Sequence, residues 1–138
     1  MGRNRIIGFT CSCFDLLHSG HILMLKDAKD QCDYLVVGLQ NNPSIDRLHK
    51  NRPIQSLKER KIQLEAVKYI NEIIVYETET ELYQLLQKIK PNVRILGTDY
   101  INKSFTGDDL DIAIYYHERN HNYSTTNLKE RISTNKIK

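Results

Sequence analysis

No stretch of this chain approaches the ~20 consecutive apolar residues that a membrane-crossing helix needs, so no span is expected. The N-terminus, with Arg3 and Arg5 close behind Met1, lacks the apolar core of an export signal. Both absences point to a cytoplasmic protein. Cysteine is scarce: Cys11, Cys13 and Cys32 are an odd number in no disulfide pattern, which argues against a stapled secreted scaffold and for free thiols. Basic residues are not massed in a block except at the tail. A net charge of +3 on a chain that is 27% charged suits an anionic small molecule better than long nucleic acid. No internal repeat and no second domain can be read in the 138 residues, so one domain spanning 1–138 is expected, with 133–138 a frayed tail.

What is present is an alternation of short apolar runs with amphipathic stretches. Strands are expected at Arg3 to Cys13, Asp33 to Leu39, Glu72 to Tyr76, Val93 to Leu96 and Leu110 to Tyr116. Between them, His21 to Lys29 has helical apolar spacing, and Ser56 with Glu59 forms a capping box ahead of a helix running to a stop near Asn71. Thr78 to Glu81 offers another cap before a helix that ends at Pro91, and Ser124 would cap a last helix from Thr125 to Ile132. Asn41 to Pro53 is polar and aperiodic, hence a loop. Near-continuous apolar strands alternating with helices imply an α/β, Rossmann-like parallel five-stranded sheet with helices on both faces, and ligands at the carboxyl ends of the strands.

At the first such end, Cys13, Phe14, Asp15, Leu16, Leu17, His18, Ser19, Gly20 and His21 set two histidines three residues apart where a strand hands over to a helix. Free backbone N–H groups and the helix dipole favour an anion there, and two imidazoles can donate to phosphate oxygens. Gly20 lets a phosphate or base approach the backbone. A zinc site from Cys11, Cys13, His18 and His21 is conceivable by ligand type. Cysteines on a buried strand are the plainer reading. The stretch resembles the H-x-G-H signature of the nucleotidylyltransferase superfamily, and is most similar to the cytidylyltransferase branch of glycerol-3-phosphate cytidylyltransferases.

That resemblance covers Ile6 to Ile132 and implies transfer of CMP from CTP to a small phosphorylated alcohol such as glycerol 3-phosphate, with Mg²⁺ and release of pyrophosphate. It implies catalytic roles for His18, His21, Lys50 and Arg60, and a nucleotide held by Cys13, Phe14, Asp15, Gly20, Asp99, Arg119, Ser124, Thr125 and Thr126. Asp15 would orient this array or help hold the metal. Gly97-Thr98-Asp99-Tyr100 resembles the family's G-[DG]-D-[WY], and Arg119 stands five residues ahead of Ser124 as the family's arginine does. Asn120 and Asn122 depart from that pattern, as Ser12 and Cys13 do at the first motif. Phe105 to Gly107 would line the acceptor side. Relatives of this kind are commonly homodimers, and neither nucleic acid nor membrane is implied as a partner.

The ADP-heptose-forming adenylyltransferases are a rival within the same superfamily. Arg52-Pro53-Ile54 before Glu59-Arg60, and Lys90-Pro91-Asn92-Val93 before Gly97, resemble their pattern, with ATP and a sugar 1-phosphate as substrates. Arg119 favours the CTP reading. From another class, the chain could be a non-catalytic nucleotide-binding module, against which the intact His18 and His21 speak. A class I aminoacyl-tRNA synthetase also uses an H-x-G-H-like turn, but this chain is too short for one.

Overall fold

A computed structural model describes residues 5–119, 121 and 123–134. Arg3 and Asn4 of the expected first strand, Asn120, Asn122 and the tail from 135 onward lie outside the described residues. Five strands, β1 (Ile7–Ser12), β2 (Tyr34–Gln40), β3 (Glu72–Tyr76), β4 (Val93–Gly97) and β5 (Ala113–His117), form one sheet in the order β3-β2-β1-β4-β5. Every pairing is parallel, as the apolar runs predict. The helices are α1 (Ser19–Asp30), α2 (Leu57–Glu65), α3 (Glu79–Ile89) and α4 (Thr125–Thr134).

Alternation along β2 divides the core in two. Leu35, Val37 and Leu39 join Leu25 and Ala28 of α1 and Leu64 of α2 on one face, whereas Val36 joins Phe9, Tyr76, and Leu82 and Leu86 of α3 on the other. The caps read in the sequence for α2 and α3 are present: Ser56 and Glu59 close a reciprocal box on α2, and Thr78 Oγ1 accepts from Glu81 N at 3.1 Å. Helix α3 ends at Lys90 in the left-handed region, the residue before Pro91. Helix α2 is shorter than expected, because Ala66 to Ile70 close as turns. Strand β5 is shifted toward its carboxyl end, to His117. No helix among the described residues is long and apolar enough to cross a membrane.

The connections run outward in opposite senses from β1 and β4, so the switch point of the sheet lies between them. Only Gly8↔Val93 and Phe9↔Arg94 are paired there. Beyond them β1 and β4 are no longer paired with each other, and the crevice between Ser12 and Gly97 opens to either face.

Candidate active site

Two cavities meet at this crevice, sharing Ser12, Met24 and Gly97 in their walls. The first, of about 520 Å³, lies on the α1 side and is lined by His18, Gly20, His21, Asp99, His117, Arg119, His121, Ser124 and Thr125 among others. The second, of about 460 Å³, lies on the α3 side and holds Cys13, Arg47, Lys50, Glu79, Arg94 and Thr106. The first is called the histidine cavity here and the second the arginine cavity.

Helix α1 begins at Ser19, two residues earlier than its apolar periodicity predicts, because His18 is its N-cap. His18 Nδ1 accepts from Gly20 N at 3.0 Å, and His21 Nδ1 accepts from His18 N at 3.1 Å. The H-x-x-H spacing is thus a capping box in which imidazoles replace the usual hydroxyl and carboxylate. A ring nitrogen that accepts has no proton, so in each neutral ring the proton sits on Nε2. The rings stack with centroids 3.9 Å apart. Burial, the charge of the neighbouring His18 and that of Arg119 outweigh the pull of Asp15 and lower the pKa of His21 to about 4. Burial, then Arg119 and His121, lowers that of His18. Both rings are therefore neutral donors at physiological pH. At Gly20 a Cβ would stand 2.8 Å from His18 Cε1 and 3.0 Å from His121 Cε1, so only glycine fits between the two imidazoles.

The N-terminus of α4 faces that of α1 across this cavity. Ser124 Oγ accepts from Asn127 N at 2.9 Å, the N-cap its sequence predicts. Thr125 Oγ1 donates to Asp15 O at 3.0 Å and ties α4 to the first turn. The orphan N–H groups and positive dipole ends of two helices thus converge on one space, an anion site before any ligand enters. Arg119, also in the wall, donates through Nη2 to Tyr123 O. Thr126 is exposed and lines neither cavity.

Four expected site residues hold the scaffold instead. Arg60 is 2% exposed, and its guanidinium donates to the carbonyls of Cys13, Gln40, Asn41 and Gln55 at 2.6–3.1 Å. It reaches neither cavity, so the structure places it as a carbonyl clamp rather than a phosphate contact. Asp15, 7% exposed, accepts from Ile54 N and Gln55 N at 2.8 and 2.9 Å, one bond to each oxygen. Phe14 packs into the core at 1% exposure. Cys13 offers its carbonyl to Arg60, although it also borders the arginine cavity. The turn itself is held in an unusual shape, with Phe14 at φ 49° and Leu16 at φ 52°. Such residues rarely adopt the left-handed region. It persists because Asp15, Gln55, Arg60 and Thr125 fix the turn from four directions.

His117, His121, Arg47, Arg94 and Glu79 also line these cavities, and local sequence pattern assigns none of them to a site. Arg94 carried a signal: it is a charge inside an otherwise apolar strand, and a buried polar residue is the informative kind. It is 4% exposed, its Nη1 donates to Thr106 O, and its buried Nε has no partner among the described residues. Among the described residues no group of three His, Cys, Asp or Glu side chains is placed to hold a metal ion. With both oxygens of Asp15 turned to the 54–55 backbone, these residues do not form a protein cage for Mg²⁺. The three cysteines are free thiols, and no zinc site joins them to the histidines among the described residues.

A family model described as cytidylyltransferase-like matches residues 9–138. The bifunctional protein HldE of Helicobacter pylori (strain HPAG1) is 39% identical over 127 residues, covering 91% of this chain. HldE of Helicobacter hepaticus is 37% identical over 132 residues, covering 95%. The chain spans 27% of the length of these curated relatives. Among solved structures, the lipopolysaccharide core biosynthesis protein from Thermoplasma volcanium GSS1 superposes with a TM-score of 0.67 at 26% identity, covering 88% of this chain and 100% of that one.

Proposed function

The chain belongs to the cytidylyltransferase-like family, and from that premise we propose that it is an adenylyltransferase of the ADP-heptose type, moving AMP from ATP onto a sugar 1-phosphate and releasing pyrophosphate. The observation that carries this reading over CTP and glycerol 3-phosphate is the 37–39% identity to HldE proteins across more than nine-tenths of the chain. Arg119, which tilts the sequence toward cytosine, is a weaker guide because its guanidinium donates to Tyr123 O.

The triphosphate sits in the histidine cavity between the N-termini of α1 and α4. His18 and His21 donate through Nε2–H to oxygens on the α-phosphorus, where charge shifts as the acceptor oxygen attacks in line and pyrophosphate leaves. Neutral donors suit this chemistry, because they stabilise developing charge and surrender no proton. No covalent intermediate is required, since positioning and charge stabilisation carry such transfers. Mg²⁺, if it accompanies the nucleotide, would be held by the phosphates rather than by these side chains and would supply charge neutralisation there. The acceptor occupies the arginine cavity, where Arg47, Lys50 and Arg94 face one carboxylate, Glu79. That balance fits a phosphorylated substrate. Glu79, hydrogen-bonded to Thr106 Oγ1 at 2.8 Å, offers the polar edge that sugar hydroxyls require.

Pyrophosphate release measured with ATP and a heptose 1-phosphate, against CTP and glycerol 3-phosphate, tests the assignment. Turnover with the first pair is expected. Turnover confined to the second would replace it with a cytidylyltransferase, and nucleotide binding without turnover would leave a sensing module.

A further inference from the structure

We propose that His117 selects the nucleotide base, accepting at Nε2 a hydrogen bond from the exocyclic amino group of adenine. The inference rests on the nucleotidyl-transfer reading of the histidine cavity. Asp27 of α1 lies 2.7 Å from His117 Nδ1 through Oδ2, and its Oδ1 accepts from Tyr115 at 3.1 Å. An ionised carboxylate only accepts, so Nδ1 carries the proton of the neutral ring and Nε2 keeps a lone pair. That Nε2 is buried and has no hydrogen-bond partner among the described residues. A buried acceptor left unpaired is unfavourable, and the ring borders the cavity that a ligand would fill.

The other imidazoles of this cavity have the opposite polarity. His18, His21 and His121 each accept a backbone N–H at Nδ1, which leaves Nε2–H as a donor. Donors match phosphate oxygens, and the ring that accepts matches a base amine. Its position agrees. His117 ends β5 beside Gly97, and its anchor Asp27 lies six residues past His21, ~9 Å along the helix axis, comparable to the reach from a phosphate to a base. Tyr115 and Asp27 by themselves could be a simple tie between α1 and β5. A tie alone does not make binding depend on what the base presents.

Calorimetric affinities of the whole chain for ATP, ITP, CTP, UTP and 2′-deoxy-ATP decide the matter, with wild type, His117→Leu and His117→Gln compared after thermal melts establish folding. ITP and UTP offer an oxo group where ATP and CTP offer an amine, and the oxo lone pairs would face that of Nε2. Wild type is expected to favour the amino member of each pair roughly tenfold, the scale of one hydrogen bond. His117→Leu should bring ATP within about threefold of ITP by weakening ATP, and His117→Gln, whose amide oxygen can accept, should restore most of the gap. Equal weakening of ATP and ITP, a loss confined to discrimination against 2′-deoxy-ATP, no amino preference in the wild type, or no nucleotide binding at all would each overturn the proposal. Because binding is measured, a chain that selects amino bases but releases no pyrophosphate would sink the adenylyl-transfer reading and leave His117 in place.

Discussion

His18 carries two roles on one ring, with Nδ1 capping a helix and Nε2 facing the cavity. Replacing it with alanine would confound the two. His18→Asn keeps a favoured N-cap acceptor but loses the ring's Nε2–H, its shorter amide N–H₂ falling short of that position, and His21→Gln keeps the capping-box acceptor at the third helical position while losing the imidazole Nε2–H. Both variants should melt within a few degrees of wild type and lose on the order of a hundredfold or more in pyrophosphate release. Activity near wild type in either would remove the donor role. The low pKa of His21 has a second consequence. Above pH 6.5 the ring is neutral whether the chain is folded or not. Between 6.5 and about 4 the unfolded chain takes up a proton that the folded one refuses, so stability falls with pH by roughly 3 kcal/mol over that window. Urea titrations at pH 7 and pH 4.5 should show His21→Gln losing less stability on acidification than wild type. The histidine pair was legible as an anion-facing feature. That the rings also cap each other was not, because sequence rules for caps look for hydroxyls and carboxylates.

The segment from Arg52 to Arg60 shows how an element can be read correctly and its side chain misjudged. The capping box at Ser56 and Glu59 was plain. Helical spacing, however, says nothing of whether an arginine on that helix points out to a phosphate or inward to carbonyls. Here Arg60 satisfies four carbonyls, those of Cys13 just past β1, of Gln40 and Asn41 at and just past the end of β2, and of Gln55 in the loop ahead of its own helix, and burial lowers the pKa of its guanidinium. Arg60→Met should cost roughly 2–4 kcal/mol in chemical denaturation, from carbonyls left without donors. Lys50→Met, at an exposed cation of the arginine cavity, should leave stability unchanged and raise the acceptor KM. A stable Arg60→Met protein with turnover lowered a hundredfold would instead return Arg60 to the phosphates.

At the scale of the molecule, the sheet separates two sets of polar groups: imidazoles and helix ends on the α1 face, guanidinium and carboxylate groups on the α3 face. Arg94→Lys, which keeps a charge but not the buried Nε–H, should raise the acceptor KM about tenfold and leave the nucleotide KM within twofold. An equal rise in both would show that the cavities are not divided in this way. The parallel sheet was legible because five apolar runs alternated with capped amphipathic stretches. Contacts such as Asp27 with His117, 90 residues apart, were not, since local periodicity carries no information about which faces meet.

The bond from Thr125 Oγ1 to Asp15 O joins points 110 residues apart. During synthesis on a ribosome, at about 5–20 residues per second, the histidine turn is made many seconds before the helix that answers it. A nascent chain therefore has no complete anion site until residue 125 has emerged, so an anionic ligand of that site can favour the finished fold by binding it but cannot guide the chain while β1 to β4 assemble.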